Sequence, residues 1–210
     1  MSEDPGTWAE LQTSVGEWLD RSDLTAKIPE LIALAERKFN RVLFVPDREV
    51  TATATLSGEA LAMPADFWSL RSIFLTTDPR TPLQQVSLAV LRSDYGAQVT
   101  GKPRAFAISD GQFIFGPAPD ASYTVNIAYY ATIPALNSST TTNWLLTKHP
   151  DLYIYGTLLQ AEAYLWNDNR LPVWKAAHDE VIAEILDAGL KYNASASPIR
   201  LRSPVVGWGI

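Results

Sequence analysis

The chain has 210 residues, 47% of them hydrophobic and 19% charged, enough apolar surface for one medium domain or two small ones and too much for an intrinsically disordered chain. It has no cysteine and two histidines, which excludes disulfide frameworks, thiolate metal sites and cysteine nucleophiles and makes a multi-histidine metal site a poor fit; no apolar run reaches the ~18 residues needed to span a bilayer. A formal charge of −6 is the wrong sign for wrapping nucleic acid, yet it suits a wall past which DNA slides without sticking.

Thr7 and Glu10 form a capping box at the head of an amphipathic helix over 7–20, with Trp8, Leu11, Val15, Trp18 and Leu19 at helical spacing. After the polar turn at Asp20–Asp23, Asp23 or Thr25 is placed to cap a second helix, with Pro29 in its first turn. Its apolar stripe is Ile28, Leu31, Ile32, Ala35 and Phe39, and it ends near Leu43, ahead of Pro46. The two form a helical hairpin.

The pattern changes at Arg48. Glu49–Leu56 alternates and is threonine-rich, as in a strand with one wet face. Ser57-Gly58-Glu59 turns and Ala60–Met63 returns. Further strands are expected over Trp68–Thr76, Arg104–Ser109, Gln112–Phe115 and Ser122–Ala131, with a short helix over Ser87–Tyr95. Asp110-Gly111 carries the hairpin signal. Helical character resumes at Trp144, with Leu152, Tyr155, Leu159, Ala163 and Trp166 on one face of a long helix that Asn167-Asp168-Asn169 breaks. Pro172 opens a last helix with Trp174, Ala177, Val181, Ile185 and Leu186 inward and Gly189 near its end. The fold class is therefore α+β. A helical bundle comes from residues 1–47 and 134–192, a mostly antiparallel β module is inserted over 48–133, and an extended arm follows over 193–210.

Gly96 to Lys102 matches G-x-x-x-x-G-K, but Pro103 stands where Ser or Thr would ligate Mg²⁺, and a helix precedes it where a P-loop needs a strand. The plain reading is a loop entering a strand. His149, before Pro150, belongs at a helix entrance with a local hydrogen bond, and His178 has no partner of catalytic spacing. The carboxylates fall on wet helix faces. Arg37, Lys38 and Arg41 sit in the last turns of the second helix, where the dipole favours cations. The tryptophans of the helical stripes (Trp8, Trp18, Trp166, Trp174) read as core.

The segment after Asn193 contains Pro198, Pro204, Gly207 and Gly209, which argue against helix, yet it carries Ile199, Leu201, Val205, Val206, Trp208 and Ile210. Extended, it could reach ~55 Å at ~3.3 Å per residue. A frayed terminus would leave six large apolar side chains in water; a docking arm would bury them on a partner, at ~1.5–3 kcal/mol each before ordering costs.

Several stretches, in order, carry a resemblance: Trp18 to Leu24 followed by Ile28 to Glu36; Met63-Pro64-Ala65-Asp66-Phe67; Gly101-Lys102-Pro103-Arg104; Gly116 to Asp120 leading into Tyr129-Tyr130; and Thr142 to Leu146 with His149 to Tyr153. Together they span roughly residues 7–190, and in that order the chain resembles the head-to-tail adaptor (head-completion, connector) proteins of tailed bacteriophages. The resemblance implies a non-enzymatic virion protein without cofactor or metal, made in the host cytoplasm and placed at the neck. It implies a ring, typically of twelve copies, between a portal protein and a tail or nozzle protein, with DNA passing through its lumen without specific binding. The arm residues Ile199, Leu201, Val205, Val206, Trp208 and Ile210 are then expected to bind the portal or a neighbouring subunit. The alternatives are another phage structural component, such as a tail-terminator or minor capsid protein, or a hydrolase using surface carboxylates.

Overall fold

A computed structural model describes residues 4–77, 79–96, 99–165 and 169–196. The helices are α1 (Trp8–Leu19), α2 (Ile28–Val42), α3 (Leu88–Asp94), α4 (Trp144–Lys148), α5 (Pro150–Gln160) and α6 (Leu171–Ala196). The strands are β1 (Glu49–Leu56), β2 (Ala60–Ala62), β3 (Phe67–Leu75), β4 (Thr81–Pro82), β5 (Gln84–Gln85), β6 (Ala105–Ser109), β7 (Gln112–Gly116) and β8 (Tyr123–Ala131). The fold is α+β, and the chain divides into two compact units: one takes the chain up to Asp47 and resumes at Pro134, the other is Arg48–Ile133.

In the helical unit, α1 begins at the expected capping box. The Glu10 N–H donates to Thr7 Oγ1 at 3.3 Å, and Glu10 Oε2 accepts from the Thr7 N–H at 3.0 Å. Asp20 stops the helix in the left-handed region, with φ 53°. The entry to α2 differs from expectation. A 3-10 turn over Ser22–Lys27 runs straight into it, and neither Asp23 nor Thr25 caps the helix. Asp23 instead takes both arms of Arg21, at 2.6 and 2.7 Å, and Thr25 donates back to the Ser22 carbonyl. A helix entered from a preceding tight turn has its first N–H groups already supplied with backbone acceptors, so no side-chain cap is required. Pro29 occupies the first turn of α2, as expected.

The helical stretch expected from Trp144 is two helices, divided at the helix entrance expected at His149. Pro150 has no N–H and disfavours helical geometry at the residue before it; His149 accordingly sits at φ −138°, ψ 62°, closing α4 and opening α5. Helix α5 is the hub of the unit, packed against α1, α2, α4 and α6. That position explains why Leu152, Tyr153, Gly156, Thr157 and Leu158 are all buried while Tyr155 and Leu159, expected inside, are only half-buried. A helix enclosed by neighbours has no one-sided stripe to read. Trp174, His178, Ile185 and Gly189 of α6 face inward. The helix runs past Gly189 to Ala196. A Cβ at Gly189 would stand 3.3 Å from Pro46 Cδ and 3.4 Å from Val45 Cγ1, so this glycine permits a close approach rather than ending a helix.

The β unit consists of two four-stranded sheets, ordered β1-β8-β3-β4 and β2-β7-β6-β5. All pairs are antiparallel except β5 with β6. Strands β1 and β2 do not form the hairpin that the intervening turn implied: β1 pairs with β8, and Ser57-Gly58-Glu59 carries the chain across to the other sheet, where β2 pairs with β7. The inward residues of both sheets, among them Leu56, Ile73, Leu75, Phe106, Phe113, Phe115, Val125, Ile127 and Tyr129, form one buried cluster. Strand β8 shows the period of two plainly, with Val125, Ile127, Tyr129 and Ala131 inward. Helix α3, capped by Ser87, covers the outer face of β6 and β7 through Leu91, Ala105, Ala107 and Ile114. Asp110 and Gly111 make the β6–β7 turn with φ of 50° and 67°, the pair of left-handed residues that a type I′ hairpin requires.

Candidate interaction surface

The P-loop lookalike follows α3 and precedes β6 in the chain, the reverse of the required order. The Gly101 N–H, which a phosphate would need, donates to the Ala118 carbonyl at 2.8 Å, and Lys102 Nζ donates to Thr77 Oγ1 at 3.1 Å. Among the described residues no three His, Asp or Glu side chains stand close enough to hold a metal ion.

One carboxylate departs from the expected wet faces. Glu36 is buried in α2, where its Oε1 accepts from the Leu136 N–H at 2.8 Å and from the Tyr153 hydroxyl at 3.1 Å. The Tyr153 hydroxyl in turn accepts from Asn143 Nδ2 at 2.7 Å; that nitrogen also donates to the Pro134 carbonyl at 2.8 Å, while Asn143 Oδ1 caps α4. Burial raises the Glu36 pKa against the lowering effect of these two donors, and burial also raises that of Tyr153. The network fastens residues 134–136, where the chain re-enters the helical unit, onto α2, α4 and α5. The sequence held a signal for it: Glu36 lies four residues after Ile32 and three before Phe39, inside the apolar stripe.

Of the two histidines, His149 has its pKa lowered by burial against the pull of Asp151 and Asp47, and its backbone N–H donates to the Leu145 carbonyl. His178 is fully buried, with Nδ1 2.9 Å from Asp179 Oδ1 and its ring stacked on Phe39. Its Nε2 and the Thr157 hydroxyl have no hydrogen-bond partner among the described residues. Trp174 is buried under Arg170, Trp8 is half-buried, and Trp18 is 42% exposed, packed edge-on against Tyr155. Trp166 lies outside the described residues. Arg37 and Arg41 are exposed at the end of α2, and Lys38 is half-buried.

What the helical unit offers a partner is a groove of about 620 Å³. Its apolar floor comes from Val45 and Pro46 after α2 and from Val181, Ile185, Ala188 and Gly189 of α6; Tyr192 closes one end, 65% exposed. Asp47, Asp151 and Glu184 give it an acidic rim, on which Lys148 is paired with Asp47. Leu190, 69% exposed, adds apolar surface near the end of α6. The arm residues Ile199, Leu201, Val205, Val206, Trp208 and Ile210 lie outside the described residues. The expected start of that arm at Asn193 is corrected, because α6 continues through Ala196.

The helical unit therefore has a buried polar network, Glu36, Tyr153 and Asn143, that fastens its own chain, and an open groove with an apolar floor. No curated protein matches the sequence. A family model matches residues 6–202, nearly the whole length, and by that match the chain belongs to the SU10 adaptor protein family, a family of phage structural components.

Proposed function

We propose that this chain is the head-to-tail adaptor of a tailed phage virion: one subunit of a ring, of twelve copies, seated between the portal and the tail or nozzle, with the genome passing through its lumen. The observation that carries the reading is the family match over residues 6–202, which takes in both units and extends beyond α6. The net charge of −6 supports it, since a wall of that sign repels DNA and lets it slide. The apolar residues Ile199, Leu201, Val205, Val206, Trp208 and Ile210 are the partner-binding set, docking the arm on the portal or on a neighbouring adaptor subunit. Burying them would contribute ~1.5–3 kcal/mol per side chain before ordering costs.

Electron microscopy of the protein mixed with a portal ring tests this. The expected result is a second ring stacked on the portal with the portal's symmetry; a portal that stays bare at micromolar adaptor overturns it. Deletion of residues 197–210 leaves α6 intact, and the truncated chain should lose most of its occupancy on the portal. Equal occupancy would remove the docking role from the arm while leaving the ring reading standing.

A further inference from the structure

The groove beside α6 and the segment that follows α6 are complementary in three respects. The first is position. Tyr192 lines the groove, and α6 ends four residues later at Ala196, so the following segment starts about one helical turn from the groove's end. The second is length. On α6 the lining residues run from Val181 to Tyr192, about 17 Å at ~1.5 Å per residue. Residues 201–210 span ~33 Å when extended at ~3.3 Å per residue, and Pro198 lies in the sequence between the end of α6 and this stretch. The third is chemistry. The floor is apolar and the rim carries Asp151 and Glu184, while residues 197–210 contain Arg200, Arg202 and six large apolar residues and no acid.

We propose that in the unassembled subunit residues 201–210 lie in this groove of their own chain, antiparallel to α6, with their apolar side chains on the Val181–Ile185–Ala188 floor and Arg202 toward the acidic rim. The groove is thus the storage site of the arm. This rests on the reading of the segment as a docking arm: stored at home, its apolar residues stay out of water until a portal or neighbouring subunit offers a larger surface. The tether supplies an effective concentration in the millimolar range, so a modest contact holds the arm before assembly and yields to a better one. A same-chain occupant is favoured over a second copy because the segment leaves α6 beside the groove and needs no second molecule to reach it.

The absence of cysteine makes the test clean. In the full chain, Ala188→Cys with Val206→Cys places one thiol on the groove floor and one on the arm. Leu190→Cys with Val206→Cys is the control, since residue 190 lies on the opposite side of α6 and no farther along the tether. Under mild oxidation of dilute isolated protein, the first pair should close an intramolecular disulfide about tenfold faster than the control, read by peptide mapping of the monomer. Equal rates would mean a tether without a seat, and disulfide-linked dimers would make the occupant a second copy; either overturns the proposal. Because the experiment contains no portal, it can fail while the ring assembles normally, and it can succeed where the ring does not form.

Discussion

Among the described glycines Gly156 makes the closest approach to a neighbour, and replacing it with alanine gives a quantity that can be worked from the geometry. It lies within α5, against Phe39 of α2. A Cβ built there would stand 2.4 Å from Phe39 Cζ, 2.8 Å from Cε1 and 3.6 Å from Ala35 Cβ. Carbon atoms pack at about 3.5–4.0 Å, so the overlap with the ring exceeds 1 Å. The ring tip cannot simply swing aside. Phe39 is fully buried, edge-on to Tyr153 at a centroid separation of 5.3 Å and stacked on His178 at 6.5 Å. Two effects oppose each other in Gly156→Ala. Helix propensity favours alanine by about 1 kcal/mol, while overpacking a filled core costs about 1–3 kcal/mol. With the ring fixed on both sides the cost falls at the upper end, leaving a net loss of about 2 kcal/mol. Urea denaturation followed by helical circular dichroism measures it. In a Phe39→Leu background, which frees the space, the same substitution should be neutral or stabilising, giving a coupling of at least ~2 kcal/mol in the double-mutant cycle. If Gly156→Ala alone is as stable as the parent, the close α2–α5 approach is not what glycine serves.

Two further outcomes follow from the buried polar groups. Glu36→Ala leaves two buried donors, the Leu136 N–H and the Tyr153 hydroxyl, without their acceptor, a loss of about 2–6 kcal/mol at ~1–3 per stranded donor; Glu36→Gln keeps an acceptor and should stay within ~1 kcal/mol of the parent at pH 7. Because burial raises the native pKa of Glu36, its contribution is complete below the ordinary carboxyl value of 4.5 and is lost as pH rises through the native value, so Glu36→Gln should gain on the parent between pH 4 and 7; a difference that does not change over this range counts against the burial argument. For His178 the sign is opposite. Burial holds its pKa below the ordinary 6.5, with Lys38 and Lys175 adding to the lowering and Asp179 opposing it. The unfolded chain therefore binds the proton first, and stability is lost as pH falls below about 6.5. Imidazole NMR titration should place His178 below that value, and a midpoint at or above it would contradict a neutral buried ring.

What was legible in the sequence followed from local chemistry. The capping box at Thr7, the Pro29 first turn, the alternation of β1 and the Asp110-Gly111 turn each depend on residues a few positions apart, and each stands where expected. What was not legible depends on partners distant in the chain. The β1–β2 pairing failed because strand partners are chosen by the whole sandwich, and three turn residues serve equally to close a hairpin or to cross between sheets. The inward face of α5 was not legible because a helix enclosed on several sides has no single stripe, whereas the helix entrance at His149–Pro150 was, because proline marks it locally.

The same division explains what the sequence reveals of the site. Glu36 could have been found, since a carboxylate within an apolar stripe must either be neutralised or meet donors; the donors themselves, 100 and 117 residues away, could not. The groove was invisible for a different reason. Its floor is assembled from small or branched residues, Val45, Pro46, Val181, Ala188 and Gly189, each ordinary by itself. The low relief of Ala188 and Gly189 matters only because Val45 and Pro46 lie opposite. An adaptor works by surfaces rather than by reacting atoms, and a surface is a sum over distant residues, none of which needs unusual chemistry. A catalytic constellation imposes rare residue types and leaves a motif; a docking groove imposes only shape, and its trace in a single sequence is the complementary segment that would fill it. Under the storage proposal that trace is the run of apolar residues and arginines after α6, legible in the sequence alone.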